Sequence, residues 1–325
     1  MMPQLAPAPL ASAQAGQPQV APWAYHGGEF VPLSDARVPI TTQALQYGTG
    51  VFEGIRAYRQ PDGGLALFRA HDHYLRFLAS CRMLRIDTGE TAQELCRLTV
   101  ELLDRSDCHG DMYVRPLAYK LRLLPGTPPG VQLRGVSDAL SINAFVMGSY
   151  TDKQGIKCAL SSWRRPPENV LPVRAKITGG YVNNALALDD ARAAGYSDAI
   201  LLNTRGRVAE ATTSNVFVVT GGVLTTPPAG ADLLEGITRD TVLALAADLP
   251  GLSGVVTEVT RDGLFTADEV FLTGTGAELV PVVQIAGRTV GDGQPGPVTR
   301  ALMAAYDDVV RGRNARYRHW LLPIG

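Results

Sequence analysis

The chain has 325 residues, room for two ordinary domains or one large one, and 46% hydrophobic content is enough for substantial cores. A formal net charge of −1 excludes a charge-driven partner such as nucleic acid or an anionic membrane surface. Residues 1–22 carry no charge and no continuous apolar run, so they read as a disordered tail rather than a secretory signal. No apolar stretch is long enough to cross a bilayer. Cys81, Cys96, Cys108 and Cys158 form no CxxC pair and no metal-like group with His, which fits free thiols in a reducing, cytoplasmic setting.

From Trp23 to Pro39 the pattern predicts short strands and turns, with Gly27-Gly28 as a hairpin tip. The glycine-rich run Gln46 to Tyr58 follows. Its GxG is too short for a dinucleotide fingerprint, and it is either backbone beside a ligand or a plain turn into a strand. A strand at 65–68 leads to a helix over 70–85, with Tyr74, Phe77, Leu78, Cys81 and Leu84 on one face. Arg76 borders that face and points either inward or to solvent. A second helix over 91–105 precedes strands at 112–121 and 138–147, separated by a Pro/Gly-rich loop at 125–130. These elements predict a small α/β domain over 23–147 in an α+β chain.

A turn-rich interdomain segment, 148–156, separates it from a larger domain over 157–325. There the pattern gives a strand at 157–163, a proline-rich crossing, and a helix from Tyr181 to Ala194 closed by Gly195. Strands follow at 198–203, 216–220, 223–225, 254–260, 269–273 and 279–285, with helices at 239–249 and 298–312. No internal repeat and no regular βαβ rhythm supports a doubly wound sheet.

Lysine is rare in this chain: Lys120, Lys153, Lys157 and Lys176 are all there are. An amine does nucleophilic chemistry that a guanidinium cannot, which singles out Lys176 at the Gly179-Gly180 turn before a helix. From Glu210 the chain reads Glu-Ala-Thr-Thr-Ser-Asn-Val-Phe217, then Leu224-Thr-Thr226, then Leu234-Glu-Gly-Ile-Thr-Arg239. This spaced run resembles the class IV pyridoxal-phosphate-dependent aminotransferase signature. Tyr47-Gly-Thr-Gly-Val-Phe-Glu-Gly-Ile-Arg56, Tyr113-Val-Arg-Pro116 and Gly274-Thr-Gly-Ala-Glu-Leu-Val-Pro281 narrow the resemblance to branched-chain-amino-acid aminotransferases, from about Trp23 onward.

The resemblance implies a two-domain fold-type IV enzyme whose larger domain has a β-barrel-like core with flanking helices. It implies pyridoxal 5'-phosphate as cofactor and transamination of L-leucine, L-isoleucine and L-valine with 2-oxoglutarate. Lys176 would anchor the cofactor and shuttle the proton, Glu210 would face the pyridine nitrogen, and Tyr181 the phenolic oxygen. Arg76, Ile237, Thr238 and Thr275 would hold the phosphate. On the substrate side, Gly276 and Ala277 would offer amides to the α-carboxylate, and Tyr47, Phe52, Tyr113, Arg115 and Tyr150 would line the pocket. Arg115 is either a partner for the glutamate side chain or a structural arginine across the sheet. Met147 stands where relatives often carry a bulky aromatic. A homodimer or higher homo-oligomer is implied as well. A D-amino-acid aminotransferase and an aminodeoxychorismate lyase share the fold and stay open as alternatives, and a noncatalytic phosphate-binding protein leaves Lys176 with Glu210 unexplained.

Overall fold

The computed structural model describes residues 20–123, 130–148 and 152–325; Tyr150 and residues 124–129 of the Pro/Gly-rich loop lie outside the described residues. The first part of the chain forms β1 (Trp23–His26), β2 (Glu29–Pro32), α1 (Gln43–Tyr47), β3 (Gly50–Phe52), β4 (Ile55–Arg59) and β5 (Leu65–Phe68). Helices α2 (Ala70–Met83) and α3 (Ala92–Arg105) follow, then the long strands β6 (Met112–Leu123) and β7 (Val136–Val146). Gly27 and Gly28 both take positive φ between β1 and β2, as a two-residue hairpin turn requires. Helix α2 stops at Met83 because Arg85 turns to φ +53, and α3 opens on a reciprocal capping box between Thr91 and Glu94.

The remainder forms β8 (Ile156–Arg164), α4 (Tyr181–Ala193), β9 (Asp198–Leu202), β10 (Val208–Ala211), β11 (Asn215–Thr220) and β12 (Val223–Thr226). Then come α5 (Ile237–Asp248), β13 (Ser253–Val256), α6 (Arg261–Phe265), β14 (Glu269–Gly274), β15 (Glu278–Ile285), β16 (Arg288–Thr289), α7 (Pro297–Val310) and β17 (Leu321–Ile324). The first sheet runs β17-β5-β4-β6-β7-β1-β2, with β3 beside β6, and its pairings are antiparallel. In the second, β10-β9-β8-β15-β14-β11 closes on itself through a β10–β11 pairing at Glu210 and Asn215. Closure makes a six-stranded barrel, from which β12 and β13 continue beside β11 and β16 beside β15.

Alternation along the barrel strands sorts their side chains into two cores. Val216, Val218, Val270 and Leu272 fill the barrel, while Phe217, Val219 and Phe271 face outward against α5 and α7. Both faces are covered, so these strands read as continuous apolar runs. Phe217 and Phe271 are register partners whose rings stack at 5.0 Å. The outer core also takes in Tyr58 and Phe68 of the first sheet, so one apolar layer joins the two sheets.

Five elements depart from the sequence expectation. Helices α1 and α6 are only five residues each, too short for a period to show. The strand expected over 254–260 ends at Val256, because Thr260 caps α6 by accepting from Gly263 N. Strand β10 carries Glu210, which the sequence left outside any strand. The last strand, β17, returns to the first sheet beside β5, so the stretch 157–325 does not lie wholly with the barrel. Pro323 is tolerated there because β17 is an edge.

Phe271→Ala removes half of the stacked pair from a site with no exposure and is expected to lower stability by about 3–5 kcal/mol. Val255→Ala, at a site 40% exposed, is expected to stay within about 0.5 kcal/mol. Chemical denaturation of both variants checks the contrast, and equal losses would mean that the outer layer does not hold the helices to the barrel.

Candidate active site

Two cavities meet at Lys176. The inner one runs from the start of α5 to the closing hairpin of the barrel, and the outer lies under β3, β6 and the β14–β15 turn. Lys176, Tyr181, Thr213 and Thr275 line both.

The backbone around Lys176 is bound to the first sheet. Its carbonyl accepts from Phe52 N at 3.1 Å, its N–H donates to Ser80 Oγ at 3.2 Å, and Ile177 bridges Val51. Gly179 is used for close approach rather than the expected sharp bend. A Cβ on Gly48, at φ +68, would come within 2.6 Å of the Gly179 Cα. Residues Thr178–Gly180 form a turn of 3-10 helix that runs straight into α4. On this frame Lys176 Nζ donates to Tyr181 Oη at 2.8 Å and sits 4.9 Å from the centre of the Phe52 ring. Burial disfavours the charged amine, but Tyr181, Glu53 and Tyr113 outweigh burial and Arg76 and leave its pKa above the ordinary value. Of the four lysines, Lys176 is the one facing these cavities: Lys120 is buried and donates to the Arg85 carbonyl, Lys153 pairs with Glu278, and Lys157 is exposed.

Glu210 lies at the barrel seam at the far end of the inner cavity. Its carboxylate meets Arg165 Nη2 at 3.0 Å and accepts from Asn215 Nδ2 and Leu234 N, each at 3.2 Å. Burial nevertheless dominates and raises its pKa, with Arg165 opposing. Arg165 is itself held by the Asp232 carbonyl and by Asn184 Oδ1 at 2.7 Å.

The other end of the inner cavity is built for an anion. Helix α5 begins at Ile237, two residues before the expected Arg239, and its N-cap Gly236 has no side chain to satisfy the first-turn N–H groups. Thr238 and Ile237 line the cavity there; Arg239 turns away, donating to Thr226 Oγ1 and the Pro227 carbonyl. Arg76 points inward from α2, the first of its two sequence alternatives. Its guanidinium grips the fully buried Glu53 at 2.7 and 3.0 Å and donates to the Glu235 carbonyl at 2.8 Å. Burial pushes the Glu53 carboxyl upward, but Arg76 and the His73 Nδ1 contact at 2.9 Å outweigh it and hold the pKa well below the usual range. Thr275 also lines this cavity, and Thr273 Oγ1, buried on its wall, has no hydrogen-bond partner among the described residues.

Phe52, Tyr113, Arg115, Met147, Gly276 and Ala277 line the outer cavity. Tyr113 and Arg115 share one face of β6, as strand alternation requires, and Arg115 Nη2 donates to Tyr113 Oη at 3.1 Å. Arg115 has no carboxylate partner among the described residues; its guanidinium lies 4.8 Å from the Phe52 ring centre, and its Nε is buried without a partner. Gly54 makes room for this arrangement, since a Cβ there would stand 1.8 Å from Tyr113 Oη. Tyr47 is 47% exposed at the end of α1 and lines neither cavity. Glu53, His73, Arg165, Asn184 and Asn215 support the site without having been singled out by sequence. Glu53 and Asn215 sit inside the quoted motifs, Asn184 lies in the first turn of α4 after Lys176, and Arg165 had no signal at all.

A model of the family described as amino-transferase class IV matches residues 50–285. A probable branched-chain-amino-acid aminotransferase of Aquifex aeolicus is 40% identical over 306 residues, 93% of this chain and 96% of that protein. The branched-chain-amino-acid aminotransferase of Pseudomonas aeruginosa is 36% identical over 91% of this chain and 95% of its own length. Among solved structures, a branched-chain aminotransferase from the archaeon Thermoproteus uzoniensis with norvaline superposes with a TM-score of 0.89 at 38% identity, covering 95% of this chain and all of that one. The branched-chain amino acid aminotransferase of Thermobaculum terrenum, in its PLP-form, also gives 0.89, at 36% identity over 94% of this chain and 99% of that chain. With the closed barrel and the two-cavity site, these likenesses put the chain in the class IV aminotransferases, among the branched-chain-amino-acid aminotransferases.

Proposed function

We propose that this chain binds pyridoxal 5'-phosphate in the inner cavity and transfers the amino group of L-leucine, L-isoleucine or L-valine to 2-oxoglutarate, giving the branched 2-oxo acids and L-glutamate. One observation carries the proposal: Lys176 Nζ and the Glu210 carboxylate line a single cleft whose other end is an uncapped helix start with Arg76. The donor set suits the cofactor group by group. An anionic phosphate is favoured at the start of α5 by the N–H groups of Ile237 and Thr238, the hydroxyls of Thr238 and Thr275, and the Arg76 cation. The orphaned Thr273 hydroxyl on the same wall also asks for a polar partner. When bound, the cofactor supplies an aldehyde for amines and a pyridine ring that draws electrons from the substrate α-carbon.

The chain's own groups do the rest. Lys176 would hold the cofactor's aldehyde end through its amine, and its Nζ would be the base that takes the substrate's α-proton and carries it. Tyr181, at 2.8 Å, keeps that nitrogen oriented and hydrogen-bonds the cofactor's phenolic oxygen. Glu210 would hold the proton on the ring nitrogen, and Arg165 opposes the burial that raises the pKa of that carboxylate. The Thr275-Gly276-Ala277 turn binds the α-carboxylate, while Phe52, Tyr113 and Met147 pack against the side chain. Arg115 pairs with the far carboxylate of glutamate or 2-oxoglutarate, which its orphaned Nε and the lack of an anionic partner among the described residues favour.

A homo-oligomer belongs to the same proposal. Ile40, Leu45, Val131, Val170 and Val182 are 61–80% exposed, apolar surface that a second copy of the chain would cover. Tyr47 is also exposed, so a pocket role for it requires a second copy of the chain. No helix among the described residues is long and apolar enough to cross a membrane, and the cytoplasmic assignment rests on the free cysteines.

Lys176→Ala is expected to bind cofactor without covalent attachment and to lose transamination by about three orders of magnitude or more. Absorbance and turnover assays check both; near-normal turnover would remove the assignment altogether. Arg115→Met is expected to raise KM for glutamate and 2-oxoglutarate by the equivalent of about 2–4 kcal/mol while changing leucine much less. Steady-state kinetics with each substrate decides it, and equal losses for leucine and glutamate would make Arg115 a structural residue.

A further inference from the structure

The β14–β15 turn is held from outside the cavity by two cations on other elements. Lys153 precedes β8 and donates from Nζ to the carbonyls of Ala277 and Leu279, at 3.3 and 3.2 Å, and to Glu278 Oε2 at 3.0 Å. From the other side Arg56 on β4 reaches the Gly276 carbonyl at 3.5 Å and stands 3.9 Å from Glu278 Oε1. Glu278 takes φ +60, a left-handed conformation that a non-glycine residue keeps only when its surroundings fix it. Gripping both of its carboxylate oxygens, together with the carbonyls on either side, supplies that fixation.

The direction of these contacts bears on substrate binding. A peptide unit is planar, with its C=O and the following N–H on opposite sides. Turning the Gly276 carbonyl toward Arg56 therefore sends the Ala277 N–H the opposite way, and Gly276 and Ala277 line the outer cavity. A flipped turn would present a carbonyl oxygen to an anionic ligand and repel it.

We infer that Lys153 is a positioning residue for substrate recognition, which with Arg56 locks the Gly276–Ala277 turn so that it offers N–H donors to a carboxylate in the outer cavity. This rests on the proposed function, in which that anion is the α-carboxylate common to every amino-acid and 2-oxo-acid substrate. Lys153 therefore controls something different from Arg115. Arg115 sorts side chains, whereas Lys153 acts on the group that all substrates share.

The test uses holoenzyme and two probes that each lack one substrate group: 4-methylvalerate, with a carboxylate and no amine, and 3-methylbutylamine, with an amine and no carboxylate. Lys153→Met keeps the aliphatic stem and removes the three donors. It is expected to weaken 4-methylvalerate binding, read by calorimetry, by roughly tenfold, and to raise KM for leucine and glutamate by the same factor with kcat nearly unchanged. The single-turnover reaction with 3-methylbutylamine should stay within about twofold, and Lys153→Arg should restore most of the 4-methylvalerate affinity. Unchanged 4-methylvalerate affinity in Lys153→Met, or an equal loss for the amine, would overturn the positioning role while leaving the carboxylate site in place. Wild-type enzyme that binds 4-methylvalerate no better than 4-methylpentanol would instead remove the carboxylate site itself, and with it the inference.

Discussion

Two buried carboxylates, one on the barrel seam and one in the link between β3 and β4, are paired with arginines that also pin the loop leading into α5. Glu210 on the barrel seam is paired with Arg165, whose Nε reaches the Asp232 carbonyl. Glu53, beyond β3 of the first sheet, is paired with Arg76, whose Nη1 reaches the Glu235 carbonyl. An unpaired buried carboxylate costs several kcal/mol, so each pair tolerates little displacement. Asn215 ties the two ends together: its amide donates to Glu210 and to the Leu234 carbonyl, and its oxygen accepts from Gly236 N. The uncapped start of α5 is thereby fixed relative to the seam carboxylate.

The same logic joins the sheets. Arg69 at the start of α2 donates to Asp240 and Thr241 of α5, which adds a second latch beside Arg76. Lys176 belongs by sequence to the barrel half, yet its peptide is hydrogen-bonded to Phe52 and Ser80 of the first half. Its side chain therefore emerges at the junction, where both cavities open. Catalysis at such a junction gives each sheet one task. The barrel half supplies most of the inner cavity's lining, and the first sheet lines the outer cavity with Phe52, Tyr113 and Arg115.

Long periodic elements were legible in the sequence because burial alone shapes them: α2, α3, β6 and β7 fall within a few residues of their expected limits. Short elements were not. Helix α1, strand β10 and strand β17 owe their form to tertiary partners, and four or five residues carry no period. At the site, chemistry was legible where a residue type is unusual, as with a rare lysine, or sits in a spaced motif, as with Glu210. The pairing of Arg165 was not, since an arginine between a strand and two prolines looks like any surface arginine until the fold buries it. In the glycine-rich run the fold turns Glu53 toward the inner-cavity arginine and aims Arg56 at Asp111 and Glu278. Strand direction decides between such neighbours, and a run broken by Gly54 gives no alternation to count.

The central claim is that Lys176 and Glu210 work on one bound cofactor with a branched L-amino acid as donor. An absorbance titration of the purified protein with L-leucine tests it most directly. The account predicts a visible band from lysine-bound cofactor that disappears as L-leucine is added and returns with 2-oxoglutarate. A band untouched by L-leucine but discharged by a D-amino acid would contradict it.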